Sequence, residues 1–149
     1  YKRQIQHRVT EKKWQEVFTA LRDCLAKCSC GEETFIDVTQ PACKCISCGK
    51  DIQRPMVLKV KKHNVVLQPG KSVYACHVVY DSDNFKEVKG EIITSRQDPS
   101  LVGLRNNSDF NWIAILPNGA SKPYSNGQVI KLVRGLKINF GNGNEGKII

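Results

Sequence analysis

The sequence predicts an α+β fold that is mostly β, and three observations lead to this prediction. A helical repeat of apolar residues is confined to the first part of the chain, and two close cysteine pairs follow it. After them, short alternating segments separated by turn residues continue to the end, as is typical of a β-sandwich. We therefore expect an N-terminal amphipathic helix in residues 1–27, a cysteine module in residues 28–54 and a β-sandwich in residues 55–149.

The predicted helix has one apolar face. Its apolar residues recur at intervals of three and four, which places them on one side of an α-helix: Trp14, Val17, Phe18, Leu21, Cys24, Leu25 and Cys28. Thr10 is the predicted N-cap, because a hydroxyl there can accept a hydrogen bond from a free N–H of the first turn. Cys24 lies on the apolar face and is expected to be a core residue.

The cysteine module has the spacing of a zinc ribbon. Cys28 and Cys30 form one close pair, Cys45 and Cys48 form a second, and thirteen residues after Gly31 separate the two. Structural zinc takes four thiolates in tetrahedral geometry, and each pair supplies two of them. A glycine follows each pair, at Gly31 and Gly49, where a metal knuckle often requires a positive φ. We predict one structural Zn²⁺ held by Cys28, Cys30, Cys45 and Cys48.

Two other interpretations of the cysteines compete with zinc. A disulfide framework would leave one of seven cysteines unpaired, and a redox Cys-x-x-Cys motif would explain only the second pair. Among the remaining cysteines, Cys43 is the reserve ligand and Cys76, in an apolar run, is expected to be packed. His77 lies in the same run and is expected to be a hydrogen-bonded core residue.

Composition narrows the classes of function. The 149 residues are 40% hydrophobic, carry a formal charge of +9 and contain no apolar run long enough to span a membrane. The charge would suit nucleic acid, an anionic surface or an acidic protein, but the basic residues are scattered along the chain. The chain begins with tyrosine and shows no signal peptide, so we expect a piece of a longer, cytoplasmic polypeptide.

The alternation and the turns of the β region predict its strands. The turn signals are Pro69-Gly70, the stretch from Asp81 to Asn84, Pro117-Asn118-Gly119 and Asn126-Gly127. The strand candidates begin at Met56, Val65, Val73, Glu91, Leu101, Trp112, Gln128, Leu136 and Lys147. The glycines of residues 141–146 resemble a phosphate loop, but they open no helix and are expected to form a turn.

Two resemblances to known families follow from particular motifs. Arg8-Val9-Thr10 with Trp14 and Leu21 resembles the end of a eukaryotic-type protein kinase domain and its final helix. Leu132-x-x-Gly135-x-x-Ile138-x-Phe140-Gly141 resembles the last strands of a forkhead-associated domain, which is a β-sandwich. Gly103-Leu104-Arg105-Asn106-Asn107-Ser108 resembles the segment before the peptide-binding loop of that domain.

The departures from the forkhead-associated pattern bear on function. The Gly-Arg and Ser-x-x-His motifs that hold phosphothreonine in that family are missing from this sequence. The resemblance therefore implies a scaffold without phosphothreonine binding. Gly103, Arg105, Asn106 and Trp112 are the candidates for a binding patch, and the alternative for them is turn and core residues.

The order of helix, ribbon and sandwich resembles the C-terminal regulatory region of bacterial serine/threonine kinases. These kinases are encoded beside a metal-dependent phosphatase and a tellurite-resistance-type von Willebrand factor A protein. The resemblance implies a non-catalytic module that docks the von Willebrand factor A partner, and possible contact with the phosphatase. The alternatives are a zinc-ribbon nucleic-acid-binding domain and a phosphopeptide reader. The sequence contains no catalytic motif, so no enzyme activity is expected of this chain itself.

Overall fold

The structure is a computed structural model and describes residues 8–149; the basic opening segment of the predicted N-terminal region, residues 1–7, lies outside the described residues. The first element is α1, Glu11–Asp23. The Thr10 hydroxyl accepts a hydrogen bond from the backbone N–H of Lys13, which confirms the predicted N-cap. The helix ends at Asp23, and Cys24 is its C-cap. The predicted helical repeat therefore stops before Leu25 and Cys28, and Cys24 is half-buried, not the fully buried core residue that was expected.

The apolar face of α1 points away from the rest of the protein. Trp14 and Phe18 are 49% and 62% exposed and stack on each other, with ring centroids 5.6 Å apart. The buried residues of the helix are instead Thr19 and Asp23, on the side that packs against the sheet. The helical period was correct, but the side that the fold buries is the polar one.

Two short hairpins follow α1. Strands β1, Leu25–Lys27, and β2, Glu33–Phe35, pair antiparallel, as do β3, Cys43–Lys44, and β4, Asp51–Ile52. The tip of each hairpin carries one cysteine pair. The β-branched and aromatic content of residues 34–38 favours a strand there, and β2 covers only Thr34 and Phe35 of that stretch.

The remaining chain forms two antiparallel sheets. The larger has the strand order β11-β10-β13-β14-β5-β6 and the smaller has the order β12-β9-β8-β7. Their bounds are β5 Met56–Val60, β6 His63–Leu67, β7 Ser72–Tyr74, β8 Val88–Thr94, β9 Val102–Asn106, β10 Trp112–Ile115, β11 Ser121–Tyr124, β12 Val129–Lys131, β13 Lys137–Asn139 and β14 Glu145–Ile148. The predicted strands are all present, and β11 was not predicted.

One apolar run departs from the β pattern. The segment from Val73 to Tyr80 begins as β7 but continues as the short helix α2, Ala75–Val78. The expectation that no helix follows Pro55 was therefore wrong. Neither helix in residues 8–149 is long and apolar enough to cross a membrane.

A single core joins the two sheets. Leu58 and Ile138 of the larger sheet pack in one cluster with Ile92 and Leu104 of the smaller sheet. Trp112 and Phe140 are also in it, with ring centroids 5.0 Å apart at 89°. This is the arrangement that the alternation of the sequence requires, since every second residue of each strand points into the space between the sheets.

Candidate metal centre

The four predicted ligands converge at the tips of the two hairpins. The sulfur of Cys28 lies 3.7 Å from that of Cys48, and the sulfur of Cys30 lies 3.6 Å from that of Cys45. All four sulfurs lie within 4.8 Å of one another. The remaining candidate, Cys43, is outside this group, and its sulfur lies 4.0 Å from the carbonyl oxygen of Asp37.

Each hairpin positions its pair by a tight backbone turn. The N–H of Cys28 donates to the carbonyl of Glu32 at 2.8 Å, and the N–H of Cys45 donates to that of Lys50 at 2.8 Å. The chain reverses at Gly31 with φ of 95° and at Gly49 with φ of 70°. A side chain would strain both turns, which is why the sequence has glycine there.

The electrostatics of the cluster favour a cation. The backbone N–H groups of Cys48 and Ser47 lower the pKa of the Cys45 thiol to about 6. The N–H of Glu32 lowers the pKa of Cys30, but burial and the three neighbouring sulfurs outweigh it and raise that pKa to about 12. Four thiolates this close repel one another, so a positive charge between them would favour their ionisation.

The donor set fits zinc. With Zn–S bonds of about 2.3 Å, the sulfurs of a tetrahedral site lie about 3.8 Å apart. The two shortest sulfur separations, 3.6 and 3.7 Å, are close to that value. Cys28, Cys30, Cys45 and Cys48 could together hold one ion, and a set of four thiolates would leave no open position for a substrate.

Thr34 contacts the cysteine cluster on its buried side. Its hydroxyl lies 3.8 Å from the Cys45 sulfur and accepts a hydrogen bond of 3.2 Å from the N–H of Ile46. The residue is buried, so its hydroxyl orients the second cysteine pair without competition from water. The sequence showed Thr34 only as a β-branched strand residue.

The module is packed onto the larger sheet. Its small core of Ala26, Ile36 and Ile52 is shared with Val57 of β5 and Val66 of β6. The side chain of Gln68 adds two hydrogen bonds to the backbone of Lys27, at 2.7 and 3.2 Å. The cysteine module and the sheets are therefore joined through a common apolar contact.

A second cluster of possible metal ligands lies under α1. His63, Cys76 and His77 are buried, and one possible ligand atom of each lies within 4.8 Å of the others. Beside them, Nε2 of His77 lies 2.8 Å from Oδ2 of Asp23, and Nδ1 of His63 lies 3.6 Å from the same oxygen. The prediction of a hydrogen-bonded core histidine and of a packed Cys76 is confirmed.

The hydrogen bonds of His77 determine which nitrogen carries its proton. The backbone N–H of Tyr74 donates to Nδ1 at 3.1 Å, so in the neutral ring Nε2 holds the hydrogen and donates it to Asp23. Burial lowers the pKa of His77. Burial also raises the pKa of Asp23, but contacts from His63 and His77 outweigh it and lower that pKa to about 2. The cluster is thus a buried carboxylate with its own donors.

This second cluster is hard to find from sequence patterns. Asp23 was one charged residue of a helix, and His63 and His77 are separated from it by 40 or more positions. The one signal in the sequence was the polar residue His77 inside an apolar run. Only the packing of α1 on β6 brings Asp23 to it.

The predicted binding patch is not formed at the surface. Trp112 and Asn106 are both 0% exposed, so neither can contact a partner directly, and that part of the prediction was wrong. The side-chain amide of Asn106 donates to the carbonyls of Phe110 and Tyr124, each at 2.9 Å, and so joins two loops. Arg105 is half-buried and lies at the surface of the smaller sheet, 3.5 Å from Glu91.

Comparison of the chain with protein-family models, curated proteins and solved structures gave no match. Any proposal for its function therefore rests on the sequence motifs and the geometry of the chain itself.

Proposed function

We propose that this chain is a zinc-stabilised protein-interaction module, the regulatory region of a bacterial serine/threonine kinase, which docks a von Willebrand factor A partner. The observation that carries the proposal is the closed group of four thiols. A metal with four protein ligands has no position for a substrate or an activated water, so its role is to hold a fold together.

The exposed face of α1 supports a place within a larger assembly. Trp14, Val17, Phe18 and Leu21 are all at least 38% exposed on one side of the helix. A contiguous apolar surface of this kind is typical of an interaction site. In the proposed arrangement α1 corresponds to the final helix of the kinase domain, and the catalytic domain would cover this face.

The two antiparallel sheets around one core support the forkhead-associated-like interpretation of residues 55–149. The proposed role for that unit is to carry the docking surface rather than to bind phosphothreonine. The metal-dependent phosphatase remains a second proposed partner. The proposed compartment is the cytoplasm.

The experiment is a direct binding measurement between the purified chain and the proposed partner, a tellurite-resistance-type von Willebrand factor A protein. The wild type is compared with Cys45→Ala and with Cys43→Ala as the matched control, since Cys43 lies outside the four-sulfur group. We expect the wild type and Cys43→Ala to bind, and Cys45→Ala to lose both zinc and binding. Full affinity in a metal-free Cys45→Ala variant would overturn the proposal.

A nuclease-treated sample tests the rival function. If binding is recovered only with nucleic acid, and its affinity falls steeply with salt, the chain is a nucleic-acid-binding domain instead. In the cysteine module the loop between the pairs carries Glu32, Glu33 and Asp37 against Lys44 alone, which favours the protein partner.

A further inference from the structure

The outer face of the smaller sheet contains an apolar groove built around a glycine. Strand register places Ile93 of β8, Gly103 of β9 and Lys131 of β12 side by side across the sheet. Residues paired in this way point to the same face. Gly103 has no side chain, so the side chain of the neighbouring Val129 can lie across it, and the groove that Gly103 and Val129 help to line has a volume of about 440 Å³.

The floor and walls of the groove are apolar. Ile93, Leu101 and Val129 line it, and Leu101 and Val129 are 37% and 41% exposed. The space directly over Gly103 is closed, because a Cβ there would lie 2.4 Å from Cγ1 of Val129, whose side chain leans across the glycine. One aliphatic side chain of a partner can enter the groove between these walls.

The rim of the groove is positively charged. Arg96, Arg105 and Lys131 line it, and no acidic residue among residues 8–149 does. Glu91 lies outside the lining and contacts Arg105 at 3.5 Å, but both side chains are more than 40% exposed, so water screens that pair. Arg96 and Lys131 are exposed at the rim.

We infer that this groove, lined by Ile93, Leu101, Gly103 and Val129 and rimmed by Arg96, Arg105 and Lys131, binds an acidic segment of a partner protein. An aliphatic side chain of that segment lies between Ile93, Leu101 and Val129, and carboxylates on either side of it meet the three cations. Charge complementarity selects the occupant, because the three cations would repel a basic segment and would add no attraction for a neutral one. The inference rests on the proposed interaction function and names its docking surface.

The test uses two heptapeptide libraries displayed on beads. In one library a central Leu, Ile or Val is flanked by Asp and Glu, and in the other it is flanked by Lys and Arg. The probe is the zinc-loaded chain with a fluorescent label. We expect the acidic library to retain it and the basic library not to. Backbone amide shifts on addition of the best acidic peptide are expected to map to Ile93, Gly103 and Val129.

Charge reversal supplies the matched control. The double substitution Arg96→Glu and Lys131→Glu should lower the affinity of the chain for the selected acidic peptide about tenfold or more. It should also shift the preference of the chain towards the basic library. Lys59→Glu with Lys147→Glu makes the same change in net charge on the larger sheet, where these two exposed residues pair. That control should bind as the wild type does. Gly103→Ala, whose Cβ would push the Val129 side chain away from the glycine and disturb the wall of the groove, should also weaken binding.

Several results would overturn the inference. The first two are equal retention of the chain by the two libraries and amide shifts that map outside the groove. The third is a loss of peptide affinity in Lys59→Glu with Lys147→Glu equal to that in Arg96→Glu with Lys131→Glu. The last is a single-stranded oligonucleotide that binds the same residues more tightly than the peptides do.

The same variants separate this inference from the proposed function. If the von Willebrand factor A protein binds the wild type and the Arg96→Glu/Lys131→Glu variant equally, the groove is not the docking surface and the module proposal stands. If that protein binds neither the wild type nor the variant, while acidic peptides still bind the groove of the wild type, the proposed partner is wrong. The inference that the groove binds an acidic segment is then still supported.

Discussion

Two clusters of residue types that can ligate a metal lie within this protein, and they differ in the charged groups that surround them. The four cysteines at the hairpin tips bring four thiols together with no charged side chain among them, so a cation between them would favour their ionisation. The second cluster, His63, Cys76 and His77, lies against the carboxylate of Asp23. The ring nitrogens of both histidines face that carboxylate. Both clusters contain ligand residue types, but in the second a side-chain N–H, Nε2–H of His77, faces the anionic group at 2.8 Å. Proximity of Cys and His is therefore insufficient evidence for a metal site, and the direction of each hydrogen bond has to be followed first.

The largest expected effect comes from removing a thiol of the first cluster. The binding free energy of a structural zinc is on the order of 10 kcal/mol, and it stabilises segments too small to fold alone. Cys48→Ala should therefore abolish zinc binding and unfold the hairpins of residues 24–52, whereas Cys76→Ala should retain one zinc per chain. Metal content and amide exchange measure this. One bound zinc in Cys48→Ala would show that the first cluster is not the site.

A smaller loss is expected from removing the carboxylate of the second cluster. Asp23→Ala leaves the buried Nε2–H of His77 without an acceptor, which costs about 2–3 kcal/mol of the free energy of unfolding. The control is Asp83→Ala, because Asp83 also ties α1 to the rest of the chain, through Lys12 at 2.7 Å, but on the surface. Urea unfolding should show a much smaller change in the control. Equal effects of the two substitutions would mean that burial of Asp23 contributes nothing.

The second cluster also predicts a pH dependence. His77 has a lowered pKa in the folded state, so the unfolded chain binds more protons as the pH falls below about 6.5, and stability declines there. The contribution of Asp23, whose folded pKa is about 2, is complete above its unfolded value near 4 and is lost between about pH 4 and 2.

Urea unfolding at pH 7.5 and 5.5 measures how much His77 contributes to this pH dependence of the free energy of unfolding. His77→Gln keeps a donor towards Asp23 but cannot titrate, so its stability should fall less than that of the wild type over this range. Zinc content is followed in parallel, since acid also protonates the thiolates. An identical decline in the wild type and His77→Gln would contradict the role of His77.

The smallest effect concerns the residue behind the first cluster. Thr34→Val keeps the shape of the side chain but removes the hydroxyl that contacts Cys45 and accepts from the N–H of Ile46. We expect one zinc per chain to be retained with an affinity about tenfold lower, because residues that orient a metal ligand act at this level. Competition with a chelator measures the affinity, and Thr39→Val, at an exposed turn, is the control. An unchanged affinity would show that the hydroxyl has no orienting role.

Local spacing in the sequence is sufficient to predict part of the fold and the first cluster. The two cysteine pairs, the glycines after them, the cap at Thr10 and the alternation of most strands are all patterns within a few residues, and the structure contains each of them. Spacing of this kind constrains the backbone directly, since it determines which side chains a turn or strand can bring to one side.

Which side of each element is buried depends instead on tertiary packing. The apolar face of α1 is exposed while Thr19 and Asp23 are buried, because β6 offers His63, and α2 beneath it His77, as partners for a carboxylate. Asn106 and Trp112 are in the interior, and a helix interrupts an apolar run that has strand character. These outcomes depend on contacts between residues far apart in the chain, whose hydrogen bonds and desolvation are settled only when the elements pack together.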